Sequence, residues 1–141
     1  MNRKYRLFGH TADVGVEIFG KTRKELFANS VAALFALMIE QKAGRGKASK
    51  LQIMIVEGSN LEDLLINFLR EALYLFNGRQ RVVTDCRPVE IDARHIVAQL
   101  SGERYDARKH KIKMEIKAVT YHGMSVERVK SGWRARVIFD V

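Results

Sequence analysis

Asp140 closes an apolar strand pattern one residue before Val141. Its carboxylate can lie close to the α-carboxylate of Val141, and two negative groups that near repel unless a cation or a basic residue sits between them. A third carboxylate brought in by the fold would complete a hard-oxygen site, suited to calcium or magnesium rather than zinc. Near the other end, GHTADVGVEIFG (residues 9–20) places His10, Thr11 and Asp13 just ahead of an alternating apolar run. Locally Asp13 reads as turn chemistry, since an aspartate readily accepts from backbone N–H groups two residues on. His10 is either a turn residue or a partner to a metal-bound carboxylate. Nothing local brings Asp13 to Asp140. Lys117, in EIKAVTYHG, follows Lys111 and Lys113 along an alternating face. It belongs to an exposed cationic strand face, or it is a cation beside the acidic cluster or against a phosphate.

Other chemistries find less support. The histidines are His10, His95, His110 and His122, and no pair has the HExxH or CxxC-type spacing of a zinc site. His95 reads as an ordinary strand residue, His110 as part of a solvated basic stretch (ARKHKIK), and His122 as a turn residue before Gly123. Cys86 is the single cysteine. It has no neighbouring base and reads as a structural, part-buried thiol. No internal disulfide can form, so a reducing, cytoplasmic setting is expected. There is no P-loop, no GxGxxG after a strand and no serine nucleophile elbow. GRGK at residues 44–47 lacks the preceding strand of a phosphate cradle.

The elements that must position these residues follow from the apolar pattern. The 141 residues, 47% of them hydrophobic, suit one compact domain over 1–141. No run approaches the roughly 18 apolar residues of a membrane span, and MNRKYRLFGHTADV has no apolar leader segment. KYRLFG and VGVEIFG are strands, the second with Val14, Val16 and Ile18 on one face. Thr22 and Glu25 form a capping box that opens a helix, with Phe27, Val31, Leu34 and Met38 as its buried stripe. Residues 41–50 (QKAGRGKASK) are a flexible basic loop, and LQIMIVEG is a strand. A second helix opens on a Ser59/Glu62 box, buries Leu61, Leu65, Phe68, Ala72 and Phe76, and stops at Gly78. From Arg81 the pattern turns to strands, two or three of them punctuated by Pro88 and Gly102. KIKMEIKAVTYHG forms another, and MSVERVK and GWRARVIFDV form a final hairpin with Ser131-Gly132 in its turn. The fold class is α+β, two helices packed on a largely antiparallel or mixed sheet. The net charge of +9 makes the surface attractive to polyanions, RNA or a partner that handles RNA.

Taken together, HTADVGVEIFG, LEDLLINFLREALYL, EIKAVTYHGMSV and the terminal GWRARVIFDV resemble the archease family, in the same order and at similar spacing from the first strand to the last residue. The resemblance implies an SHS2-type α+β domain. It implies a protein cofactor of an RtcB-type tRNA-splicing ligase, one that promotes guanylylation of the ligase's active-site histidine and multiple turnover. It implies a metal site of Asp13, Asp140 and Val141, holding calcium or else magnesium or manganese, with Lys117 as a further functional residue. Two other readings compete: a phosphoesterase with catalytic metal in the acidic cluster, and a basic RNA-binding module. The first lacks a second ligand set and a nucleophile. The second lacks the aromatic and basic strand motif of an RRM. An accessory protein of the ligase, without catalysis of its own, is the expectation, touching tRNA directly or through the ligase and binding no membrane.

Overall fold

A computed structural model describes residues 4–9, 13–42 and 49–141. In chain order the elements are β1 (Tyr5–Gly9), β2 (Asp13–Gly20), α1 (Arg23–Met38), β3 (Ile39–Gln41), β4 (Ser49–Glu57), α2 (Leu61–Asn77), β5 (Arg81–Ile91), β6 (His95–Arg104), β7 (His110–Ile112), β8 (Ala118–Val129) and β9 (Gly132–Asp140). The strands form a four-stranded sheet in the order β1-β2-β9-β8, a three-stranded sheet β4-β6-β5 and a two-stranded ribbon β3-β7. Every pairing among the described residues is antiparallel. This is the expected α+β class, with helices against antiparallel sheets. No described helix is long and apolar enough to cross a membrane.

Alternation decides which face of each sheet meets the helices, because successive strand side chains point to opposite sides. Val16 and Ile18 of β2 are fully buried together with Ala135, Val137 and Phe139 of β9. In β6 the buried members are Ile96, Ala98 and Leu100, joined by Met54 and Val56 of β4. The helices share this core, and Phe27 and Phe68 bring their rings to 5.7 Å. All four stripe residues of α1 are buried, and so are Leu26, Ala33, Phe35 and Leu37. A helix packed on both β2 and β5 needs apolar residues on more than one face, which is wider than a single stripe.

The N-caps confirm one expectation and shift another. Thr22 caps α1 by accepting the Glu25 N–H, and the Glu25 carboxylate reaches back to the Lys21 N–H at 3.2 Å. The cap of α2 is Asn60 rather than Ser59: Asn60 accepts the Asp63 N–H at 2.8 Å, and Asp63 returns to the Ser59 N–H at 2.9 Å. The box is the same device one residue later. Glu62, left out of it, accepts from the Val126 N–H across to β8. Gly78 closes α2 as expected.

Four strand expectations are corrected. Pro88 lies within β5, whose second edge is unpaired in its sheet, and a shift in register falls between Pro88 and Glu90. An edge strand with a bulge tolerates the missing N–H. The 41–50 segment is partly strand: Gln41 belongs to β3 and Ser49–Lys50 to β4, while 43–48 lie outside the described residues. KIKMEIKAVTYHG divides into β7 and β8, with 113–117 between them, so Lys111, Lys113 and Lys117 share no continuous strand face. His122 sits inside β8 rather than in a turn, at a bulge between Thr120 and Ser125 where Gly123 has φ of 65°.

Candidate functional site

Asp13 is the first residue of β2 and Asp140 the last of β9, and the antiparallel register sets them directly opposite each other. Both lie on the sheet face opposite Val16, Val137 and Phe139, away from the helix-packed core. On the same face, two residues along, the partners are Gly15 and Ile138. A side chain at position 15 would collide with the Phe8 ring, so glycine is what lets that ring lie across β2. Asp13 is half-buried, and its Oδ1 is buried with no hydrogen-bond partner among the described residues. An acceptor stripped of water and left unpaired costs free energy that only a donor or a cation returns. Like charges directly opposite in a sheet add a further penalty.

Other elements converge on this corner. Lys117 donates its N–H to the Asp140 carbonyl at 2.8 Å, and Ala118 pairs with Asp140 across β8–β9. The segment leading in is gripped by α2. Asn77 Nδ2 donates to the Ile116 carbonyl at 2.9 Å, and Arg70 donates to the Val119 carbonyl at 3.2 Å. Val141 packs its side chain against the core cluster, which fixes the backbone that follows Asp140. The structure thus brings Asp13, Asp140, Val141 and the Lys117 backbone together, and the Lys117 side chain is exposed. His10 lies outside the described residues, as do Thr11 and Ala12. Among the described residues no three His, Cys, Asp or Glu side chains group as a metal site.

The remaining reactive groups are placed elsewhere. Cys86 is half-buried, and burial followed by the neighbouring Asp85 charge pushes its thiol up to about 12. It lines a cleft of about 350 Å³ between α1 and β5, with no histidine among the described lining residues. A thiol that holds its proton at neutral pH is no nucleophile. His95 meets Asp92 at 2.9 Å and Glu90 at 3.5 Å, and the Asp92 hydrogen bond is the main cause that raises its pKa. His110 is a correction: it is 1% exposed, not solvated. It stacks on Tyr105, accepts the Asp106 N–H at 2.9 Å through Nδ1, and turns Nε2 to within 3.6 Å of Glu103. Charged neighbours in sequence hid this, because β7 sends Lys111 out and His110 in.

Sequence reasoning also missed an aromatic and cationic cluster at the far end of the same sheet. Arg23 and Arg128 lie over the Trp133 ring, 5.2 and 5.4 Å from its centroid. Only the β8–β9 pairing, which sets Arg128 against Trp133, and the start of α1 bring the three together.

The chain's similarities agree with this architecture. The model of the "Archease protein family (MTH1598/TM1083)" matches residues 5–141. The protein named "Protein archease" from Pyrococcus furiosus is 38% identical over 145 residues, covering 99% of both chains. Its namesake from Methanosarcina barkeri is 34% identical over 143 residues, covering 99% of this chain and 97% of that one. The solution structure of protein 1598 from Methanobacterium thermoautotrophicum superposes with a TM-score of 0.73 at 25% identity, over 98% of this chain and 99% of that one. The chain belongs to the archease family.

Proposed function

We propose that this protein is an accessory factor that activates an RtcB-type RNA ligase in tRNA splicing, promoting guanylylation of the ligase's active-site histidine and multiple turnover in the cytoplasm. Family membership supports the coarser role, a protein cofactor in RNA processing. In this reading Asp13, Asp140 and the α-carboxylate of Val141 hold one divalent cation, calcium first and magnesium or manganese as alternatives. The observation that carries the metal part is the buried, unpartnered Asp13 Oδ1 set opposite a second aspartate. Oxygen donors of this kind fit a hard cation. When bound, the ion supplies a positive centre that neutralises the pair. The chain's own residues do the positioning: the β2–β9 register aligns the carboxylates, and the Lys117 N–H pins the Asp140 backbone while its side chain stays exposed.

No catalysis by the protein alone is proposed, since Cys86 is held protonated and a serine elbow is missing. The test is tRNA-half ligation by the cognate ligase under single-turnover and multiple-turnover conditions, with substoichiometric amounts of this protein. Turnover and the guanylylated fraction of the ligase should both rise. Metal-dependent phosphoester cleavage by the purified chain, lost in Asp13→Ala, would instead establish the phosphoesterase reading.

A further inference from the structure

At the end of the β1-β2-β9-β8 sheet remote from the acidic pair, the β8–β9 hairpin tip folds against the entry to α1. Gly20 pairs with Trp133, and Gly132, with φ of 140°, backs onto the Gly20 carbonyl and Lys21 so closely that a side chain there would collide with both. This approach brings the Lys21 backbone to the hairpin tip and sets Arg23 with Arg128 over Trp133, with Lys24 on the first turn of α1 and Lys130 in the hairpin turn. None of the five has an ion-pair partner among the described residues. The nearby carboxylates are engaged: Glu127 pairs with Arg134, and Glu25 caps α1 through the Lys21 N–H. Arg23 and Arg128 rest on the Trp133 ring. Stacking of that kind restrains a guanidinium while leaving its N–H edge for a bidentate acceptor.

We propose that this end of the sheet is a nucleic-acid surface that grips the phosphate backbone of RNA without reading its bases. The inference stands apart from the ligase-activator reading, because the grip belongs to this chain alone. Phosphate is favoured over an acidic protein surface by what the patch lacks. Among the described residues the exposed large apolar side chains are Leu7, Ile53, Ile55, Tyr74, Val89, Ile112 and Tyr121, and none falls in 20–24 or 128–134. Protein interfaces are centred on apolar and aromatic anchors, and the aromatic ring of this patch, Trp133, is overlain by two guanidiniums, whereas nucleic-acid interfaces are polar and strongly positive. The net charge of +9 draws an extended polyanion to the patch over a longer range.

The test measures binding of the whole protein to a short labelled RNA hairpin by fluorescence anisotropy, from low to physiological salt, without ligase. A Lys21→Gln/Lys24→Gln/Lys130→Gln variant should bind about tenfold more weakly or worse at low salt. Its log–log salt slope should flatten by about 0.9 for each phosphate that the variant no longer neutralises. Lys130→Gln alone should move both readouts in the same direction by less. An equal charge reduction on β5, β6 and the turn between them, Arg87→Gln/Arg94→Gln/Arg104→Gln, should change affinity by no more than about twofold. All six positions are exposed, and melting curves check that each variant is folded. The proposal is overturned if the unsubstituted protein fails to bind the hairpin at low salt, or if both triple variants weaken it equally. It is also overturned if the folded patch variant keeps its RNA affinity and its salt slope, which would leave the patch to a protein partner.

Discussion

Strands β2 and β9 build both ends of one sheet, and the two ends carry opposite chemistry. Where β2 begins and β9 ends, Asp13 faces Asp140 and one carboxylate oxygen is buried without a partner. Where β2 ends and β9 begins, Gly20 faces Trp133, and the cations gathered there rest on an indole or stand exposed. The acidic end concentrates like charge in a small, partly buried volume, which suits a small cation. The basic end spreads positive charge over a loop, a helix start and a hairpin, which suits an extended anion. The same antiparallel pairing produced both, because it joins the first residue of one strand to the last of the other. The residues just outside the apolar alternation then set the sign of each end.

Neutralising the acidic pair should have the largest effect. Asp140→Asn or Asp13→Asn should weaken calcium binding by about a hundredfold or more, since ligand charge sets affinity at such sites. Titration calorimetry on the native and substituted proteins checks it, and equal affinities would remove the pair from any metal site. In chelator the sign reverses. Relieving the cross-strand like-charge repulsion should stabilise Asp140→Asn by roughly 0.2–1 kcal/mol, seen as a slightly higher melting temperature that calcium no longer raises.

Trp133→Ala sharpens the contrast from the other end. It should cost about 1–3 kcal/mol of stability through reduced burial and weaken RNA hairpin binding as the guanidiniums lose their platform, while calcium affinity stays unchanged. Chemical denaturation and the two binding assays separate these effects, and a fall in calcium affinity would show that the ends are coupled. A peptide extension after Val141 should do less. It converts the α-carboxylate into a carbonyl, and calcium affinity should fall by about tenfold with one charge fewer. The melting temperature in chelator should hold, because Val137, Phe139 and Val141 still pack.

The smallest effect is a pH dependence that belongs to neither end. Asp92 and Glu90 raise the His95 pKa above 6.5, so its folded value exceeds its unfolded one. The stabilisation is complete below the unfolded value and is lost as pH rises through the raised folded value. His95→Gln should remove a small fall in melting temperature as pH rises above about 6.5. The ratio of calcium affinity to RNA affinity should be the same in His95→Gln as in the native protein. A changed ratio would tie this cluster to one of the ends.

Much of the fold was legible because the core is written as period. The α1 stripe, the Val16/Ile18 and Val137/Phe139 faces and the apolar face of α2 all carry apolar residues at the spacing their burial requires. The misread places are those where a neighbour outside the local window decides. Asn60 caps α2 in place of Ser59, Pro88 is admitted by an unpaired strand edge, and His110 is drawn inward under Tyr105 from among lysines and arginines. By itself the sequence determined the helices, the strand faces, the basic excess and the archease motifs, all properties of adjacent residues. Only the tertiary structure decided that Asp13 opposes Asp140 and that Arg23 meets Arg128 over Trp133. Those meetings depend on strand register and on how a helix start packs against a distant hairpin, and a slip of one residue would send every side chain to the other face of the sheet.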